Sequence, residues 1–366
     1  MNLDDLRSLF PALERVVYLN TPTASPAARP VLQAVRRAES EWESGEFSWQ
    51  GWEEEADATR TIFARLIGDR DGPVSLVSSV AEAAATVAAS LTSGRVVVGA
   101  REFQSNLFPW LALRDRGFDV VEVPAVDGVV RTGAILEAVD DHTALVAVTE
   151  VQSSNGFRVR IEDIGRRCRE IGARLFVNLT QSLGALRFDA GRAEADYVAA
   201  HGYKWLLAPR GAAWLWVRPD RLAELRPLAP SWKTVAEPYA DYYGGPLELP
   251  ESGRRLDTTL AWFAWIGARA ALDLISSFDA GEVETHCLGL ASAFREEAVA
   301  RGFGLVPVEV PSQTVALRVS DPAGLRQRLL DHRVVGAVRG GSLRLGFHAY
   351  NDGSDVEAAL AALGRP

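Results

Sequence analysis

The sequence predicts an α/β protein: an open, mostly parallel seven-stranded sheet covered by helices, followed by a small α+β C-terminal domain. Three observations predict it. First, seven short apolar runs lie between residues 71 and 220: Val74–Val77, Val96–Val98, Val120–Val123, Leu145–Val148, Arg174–Val177, Tyr197–Ala200 and Ala213–Val217. Runs this short and continuous suit strands buried on both faces. Second, segments with helical periodicity or turns separate them, and such alternation argues for an open sheet whose ligands sit at the strands' carboxyl ends. Third, the pattern changes after a Pro-, Gly- and Tyr-rich stretch from Leu222 to Leu256.

In chain order, apolar residues at helical spacing predict helices over Val31–Glu43 and Trp52–Ile67, ahead of the strands. Beyond the Pro- and Gly-rich stretch the periodicity predicts helices over Leu260–Ser276 and Ala280–Arg301. A strand (Thr314–Val319), a helix (Pro322–His332), a strand (Ser342–Phe347) and a helix (Asp355–Leu363) complete the reading. The expected division is an N-terminal arm plus large domain over 1–255, and a linking helix plus small domain over 256–366.

Composition narrows the function classes. The 366 residues are 48% hydrophobic and 24% charged, as in globular proteins. A net charge of −9 argues against a nucleic-acid partner, because phosphate backbones demand a basic face. The opening MNLDDLRSLF carries acids where a signal peptide carries a basic start, and Glu82 interrupts the apolar stretch Val80–Leu91, so no membrane span is predicted. Two cysteines, Cys168 and Cys287, make no disulfide scaffold, and a cytoplasmic protein is expected. The five histidines (His142, His201, His286, His332, His348) lack ligand spacing, so no metal site is expected.

The most informative stretch is HGYKWLLAPRG, residues 201–211. A lysine at the end of a buried strand can lose its charge by desolvation and become a nucleophilic amine, as an imine-forming lysine must. The bland reading of Lys204 is a surface charge.

HGYKWLLAPRG resembles the lysine motif of the class V aminotransferase group of pyridoxal-5′-phosphate (PLP) enzymes, fold type I. That group includes cysteine desulfurases, kynureninases and isopenicillin-N-epimerase-like proteins. The likeness runs from YLNTPTASPAARPV at residues 18–31 to SLRLGFHAYND at residues 342–352. It implies that PLP forms an imine with Lys204, which then serves as general base. LVSSVAEAAATVAASL resembles the phosphate-binding turn and helix, with Ser79, Val80 and Ala81 offering backbone amides where a helix start attracts anions. The family often has threonines at the last two positions. Ser79 also reads as an ordinary N-cap.

REFQSNLFPW resembles the segment whose first aromatic stacks on the cofactor ring, here Phe103. TEVQSSNG resembles the loop near the cofactor's phenolic oxygen, with Ser153 the contact and Gln152 and Asn155 in reserve. In FVNLTQSLGAL, Gln181 matches the family glutamine, but Asn178 stands where the family has the aspartate that keeps the pyridine nitrogen protonated. An amide cannot hold that proton by opposite charge. Two readings follow: Asn178 tunes the cofactor, or the protein only binds a ligand.

His201 and Tyr203 match positions that touch the phosphate, both as donors. GRRLDTTLAWFAWIGA resembles the stretch that crosses to the partner subunit, so Thr258 and Thr259 are candidate contacts to the other protomer's phosphate in a homodimer. Arg344 in SLRLGFHAYND would grip a substrate α-carboxylate with two prongs, Thr23 would lie near the substrate, and His348 would line the mouth of the site.

The resemblance implies a small amino-acid-like substrate and an aminotransferase-like reaction. Elimination (a C–S lyase), epimerisation, retro-aldol-type cleavage and a catalytically silent relative are the alternatives. A persulfide-forming desulfurase is disfavoured, because no cysteine lies between Val306 and Gly341. A Rossmann-type nucleotide enzyme would need a GxGxxG after a strand, and none is present.

Overall fold

The seven apolar runs are strands of one sheet. The computed structural model describes residues 3–339 and 341–364. Across the sheet the strands follow the order Val74–Val77, Ala213–Val217, Tyr197–His201, Arg174–Asn178, Thr143–Thr149, Arg95–Gly99, Asp119–Val123. Ala213–Val217 runs antiparallel to both neighbours, and the other pairs are parallel. The runs lack polar alternation because both faces are covered. Val97, Val146, Leu175, Val177 and Val198 enter one core, while Val96, Val98, Leu145, Phe176 and Tyr197 enter the other. The period of two that normally separates a wet from a dry face here separates two dry ones.

Helices Trp49–Leu66 and Trp262–Ser276 contribute Phe63 and Trp265 to the first core. Val80–Ser90 and Gln104–Leu111 contribute Val87 and Trp110 to the second. Helix Trp262–Ser276 starts two residues later than predicted.

A second, antiparallel sheet joins Ala337–Arg339, Ser342–Gly346 and Thr314–Arg318 in that order. The strand Ala337–Arg339 was not predicted from the sequence. Helices Ala280–Ala300, Pro322–Asp331 and Gly353–Leu363 pack Phe294, Leu325 and Leu360 on this sheet. The last helix is started by a capping box, with Asp352 accepting from the Asp355 backbone and the Asp355 side chain accepting from Asp352.

The N-terminal arm is stitched to this small sheet's surroundings. Val17–Tyr18 pairs in parallel with Val334–Val335, and Arg7 donates to Asp355 at 2.7 Å and to the Tyr350 carbonyl at 3.1 Å.

The Pro- and Gly-rich stretch is anchored rather than loose. Lys233 is fully buried and ion-paired with Glu53, which also accepts from Trp262 Nε1 at 2.7 Å. Trp49 meets Trp232, Tyr239 and Tyr242 edge-on. Asp257 accepts from the Leu76 backbone and from Arg60 Nη1, both at 2.9 Å. Gly253 lies so close to the Val74–Val77 strand that a β-carbon there would stand 2.0 Å from the Val74 carbonyl oxygen. Only a residue without a side chain fits. Among the described residues no helix is long and apolar enough to cross a membrane.

Candidate active site

Five strands, ending at Val77, Gly99, Thr149, Asn178 and His201, deliver side chains to one edge of the large sheet. There a cavity of about 880 Å³ opens between the sheet, the N-terminal arm and Arg344 of the second sheet. At its inner end a recess is lined by Val80, Thr149, Asn178, Thr180 and Gln181 together with Lys204.

Lys204 is 5% exposed, with Nζ 5.6 Å from the Phe103 ring centroid and 5.4 Å from that of Tyr203. The turn that carries it is tight. Leu207 adopts φ +60°, a left-handed conformation costly for a branched side chain, and its N–H closes on the Lys204 carbonyl at 3.2 Å.

Ser79 caps helix Val80–Ser90 by accepting from the Glu82 N–H at 3.2 Å, and Glu82 returns to accept from the Ser78 N–H at 2.8 Å. This rigid turn points the helix start at the cavity, where Ser79 and Ala81 line the wall and Val80 the recess. Phe103 sits just before helix Gln104–Leu111, 52% exposed at the mouth.

Gln181 Nε2 donates to Ser153 Oγ and to the Pro22 carbonyl, both at 3.0 Å, while its Oε1 accepts from Trp205 Nε1 at 3.1 Å. Ser153 and Gln181 are therefore brought together in the recess. Gln152 and Asn155, the reserves, face elsewhere. Gln152 brackets the backbone of Val130, and Asn155 donates to the Gly128 carbonyl while accepting from the Phe157 N–H. Both shape the loop, and neither lines the cavity or its recess.

Asn178 is 6% exposed, its Oδ1 accepting from the Thr180 N–H at 3.0 Å and its Nδ2 donating to Thr149 Oγ1 at 3.3 Å. Behind Thr149 stands Glu102, whose pKa is raised by burial against the opposing hydrogen bonds of Thr149 and Asn106.

His201 lies in the wall, and burial lowers its pKa from 6.5 to about 4. Its Nδ1 is 3.1 Å from the Ala212 carbonyl, so the proton of the neutral ring sits there. In that form Nε2 of the ring is an acceptor. Tyr203 packs edge-on against His201, with ring centroids 4.5 Å apart.

Arg344 is 6% exposed. It donates to Thr23 Oγ1 at 2.9 Å and to the Ser153 carbonyl, so Thr23, Ser153 and Arg344 form one corner. His348 is not at the mouth. It is fully buried, stacked between Trp205 and Tyr350, with Nε2 3.0 Å from the Trp205 carbonyl. His348 lies past the end of the strand Ser342–Gly346, in a segment buried from Leu343 to Tyr350. Thr258 and Thr259 do not line the cavity of their own chain, and neither caps a helix, because Ala261 holds the N-cap position. Thr259 faces solvent.

Sequence reasoning missed Ser105, Thr149, Thr180 and Arg210 in the lining. Thr180 follows Asn178 by two residues, and its hydroxyl accepts from the His201 N–H at 3.0 Å, so an Asx-type turn after a strand was the available signal.

A family model described as Aminotransferase class-V matches residues 17–301. The chain belongs to this family of PLP-dependent enzymes. This class V protein is 27% identical to a probable cysteine desulfurase of Methanothermobacter thermautotrophicus, over 98% of its own length and 96% of the relative's. It is 27% identical to the isopenicillin N epimerase of Streptomyces clavuligerus, over 95% and 94% of the two chains. Its fold matches that of the cystine C–S lyase C-DES, solved with its product cysteine persulfide, at a TM-score of 0.86 and 21% identity, covering 98% and 100%.

The residues of the class V cavity fit the family cofactor. A buried lysine, a helix start for a phosphate, an aromatic ring beside the lysine and a glutamine–serine pair at the inner end all border one space. The departure is Asn178 in the place of the carboxylate.

Proposed function

We propose that this protein is a PLP enzyme, with the cofactor held by Lys204, that acts on a small α-amino acid in an aminotransferase-like reaction. What supports the reading is the convergence of Lys204, Gln181, Ser153 and Arg344 on one cavity in a class V chain. PLP, when bound, supplies an aldehyde that condenses with amines and a ring that draws electrons from the substrate's Cα.

The chain's own residues do the rest. The amides of Ser79, Val80 and Ala81 would hold the phosphate at the helix start, with the Tyr203 hydroxyl as a further donor. Phe103 would cover the ring face, and Gln181 and Ser153 would meet its phenolic oxygen. Arg344, oriented by Thr23, would grip the α-carboxylate, turning one face of Cα toward Lys204. The Lys204 amine would remove and return the proton at Cα. Dimerisation is part of the proposal: Thr259 would serve the partner's cavity rather than its own, and sedimentation should report twice the 39.7 kDa chain mass.

A second reading, elimination or epimerisation, is favoured by one observation: Asn178 offers no charge to sustain the electron demand of amino transfer. A desulfurase that carries sulfur on its own thiol is not favoured. Cys168 and Cys287 are buried in helices away from the cavity, and burial pushes the Cys168 thiol up to about 12. Thiols so protonated are poor nucleophiles.

The test is borohydride reduction of the purified protein followed by peptide mapping, then absorbance on adding single amino acids. A pyridoxyl adduct on Lys204 and a band that shifts with an amino acid support the proposal. No adduct with PLP supplied would overturn it, and a coloured protein indifferent to every amino acid would mark the silent relative.

A further inference from the structure

The Asn178 amide is not free to choose which end it presents. Its Oδ1 accepts from the Thr180 backbone N–H at 3.0 Å, and a backbone N–H can only donate. Its Nδ2 faces Thr149 Oγ1 at 3.3 Å. Whether that hydroxyl can accept depends on where its single proton goes, and the surroundings decide. Thr149 Oγ1 lies against Glu102 Oε2 in a very short contact, and Asn106 Nδ2 approaches the same hydroxyl at 3.2 Å. Glu102 is itself surrounded by donors: the Thr149 N–H on Oε1 at 2.8 Å, Asn106 Nδ2 on Oε2 at 3.1 Å, and the Phe103 backbone N–H.

A carboxylate among such donors accepts, so the Thr149 proton points to Glu102 and the Thr149 lone pairs receive the two amides. Turning the Asn178 amide over would set Oδ1 against an oxygen with no proton to give, and Nδ2 against a backbone N–H. Both contacts would become repulsive. The hydrogen bonds therefore run one way, from Asn178 through Thr149 to Glu102. One N–H of Nδ2 is spent on Thr149, and the second is not used within the described chain.

We propose that Thr149, oriented by Glu102, is a positioning residue that locks the Asn178 amide with its nitrogen as the presented atom, so that the cofactor's ring nitrogen is held as an unprotonated acceptor. The proposal rests on the cofactor reading above and deepens it. A carboxylate at position 178 stabilises a protonated ring by charge, whereas a locked amide N–H pairs only with a lone pair. The neutral ring is the weaker electron sink, which directs the site toward chemistry that stores less charge in the ring.

The experiment is nitrogen NMR of the holoprotein loaded with ring-¹⁵N pyridoxal phosphate, a readout independent of turnover. Wild type is expected to show the resonance of an unprotonated pyridine, and Asn178→Asp to move it to the protonated position. Thr149→Val should shift or split the wild-type resonance because the amide then keeps only the Thr180 N–H to hold its orientation, while Thr149→Ser should restore it. Far-UV circular dichroism checks that each variant is folded. A protonated ring in wild type would overturn the proposal, as would Thr149→Val and wild-type spectra that coincide. Absence of any bound cofactor signal in folded wild type would instead sink the cofactor reading itself.

Discussion

Replacing Arg344 by lysine tests the substrate side of the site. Arg344 is 6% exposed, and its guanidinium is already aimed by Thr23 Oγ1 at 2.9 Å and by the Ser153 carbonyl. A fork held in place before binding loses little freedom when it meets a carboxylate. Lysine keeps the charge but offers a single point of contact and cannot also hold both chain partners. The loss is one charge-assisted hydrogen bond, about 1.5–3 kcal/mol. At about 1.4 kcal/mol per decade, KM for an amino acid should rise about 10- to 150-fold. Turnover number should change less, since the carboxylate is gripped alike before and during proton removal. The assay compares KM and kcat for an amino acid and for the amine that lacks its carboxylate. Arg344→Lys should weaken the first and leave the second near wild type. Equal losses for both, or no change in KM, would refute the assignment of Arg344 to the carboxylate.

Removing one side of the fully buried Glu53–Lys233 pair, as in Lys233→Met, should destabilise the fold by about 3–5 kcal/mol, because it leaves a charge unpaired. Chemical denaturation of Lys233→Met and of Glu53→Gln/Lys233→Met checks this: the double variant should recover much of the loss, and a double no better than the single would contradict it. Burial lowers the His348 pKa from 6.5 to about 4, so as pH falls through that window the unfolded chain takes up the proton first and stability is lost. At about 1.36 kcal/mol per pKa unit the full loss approaches about 3 kcal/mol. Urea midpoints between neutral pH and about pH 4 should fall less for His348→Gln than for wild type, and parallel curves would remove His348 as a source. Gly253→Ala should weaken both stability and cofactor retention, because its β-carbon would strike the Val74 carbonyl on the strand leading to the Ser79 turn. Thermal melting and a spectrophotometric titration with PLP read the two effects, and an Ala variant matching wild type in both would contradict this packing.

The sheet was legible because double burial writes itself as continuous apolar runs, and those runs end where the site residues begin. Lys204 could be read as a lysine just past such a run, whereas Asn178 and Gln181 were placed by the family resemblance of FVNLTQSLGAL. The short strand Ala337–Arg339 escaped because three residues are too few to show a period. His348 was misplaced because it lies past the strand's end, where its stacking on Trp205 and Tyr350 leaves no periodic trace in the sequence. The polarity of His201 was equally hidden, because it is set by the Ala212 carbonyl just ahead of a neighbouring strand. Likewise Thr149 looks like any strand-end threonine until Glu102 and Asn106 are seen around it.

The stitching of the N-terminal arm to residues near the C-terminal end has a consequence for how the chain comes into being. Arg7 finds Asp355 across a sequence separation of 348 residues, and Val17–Tyr18 must wait for Val334–Val335 to emerge. During synthesis these two contacts therefore form only after the second sheet has emerged, although the arm already meets the seven-stranded half through Pro22 and Gln181. Thr23, which aims Arg344, is carried by this arm. The Thr23–Arg344 corner is thus closed by two residues 321 positions apart, and it is complete only once Arg344 has been made.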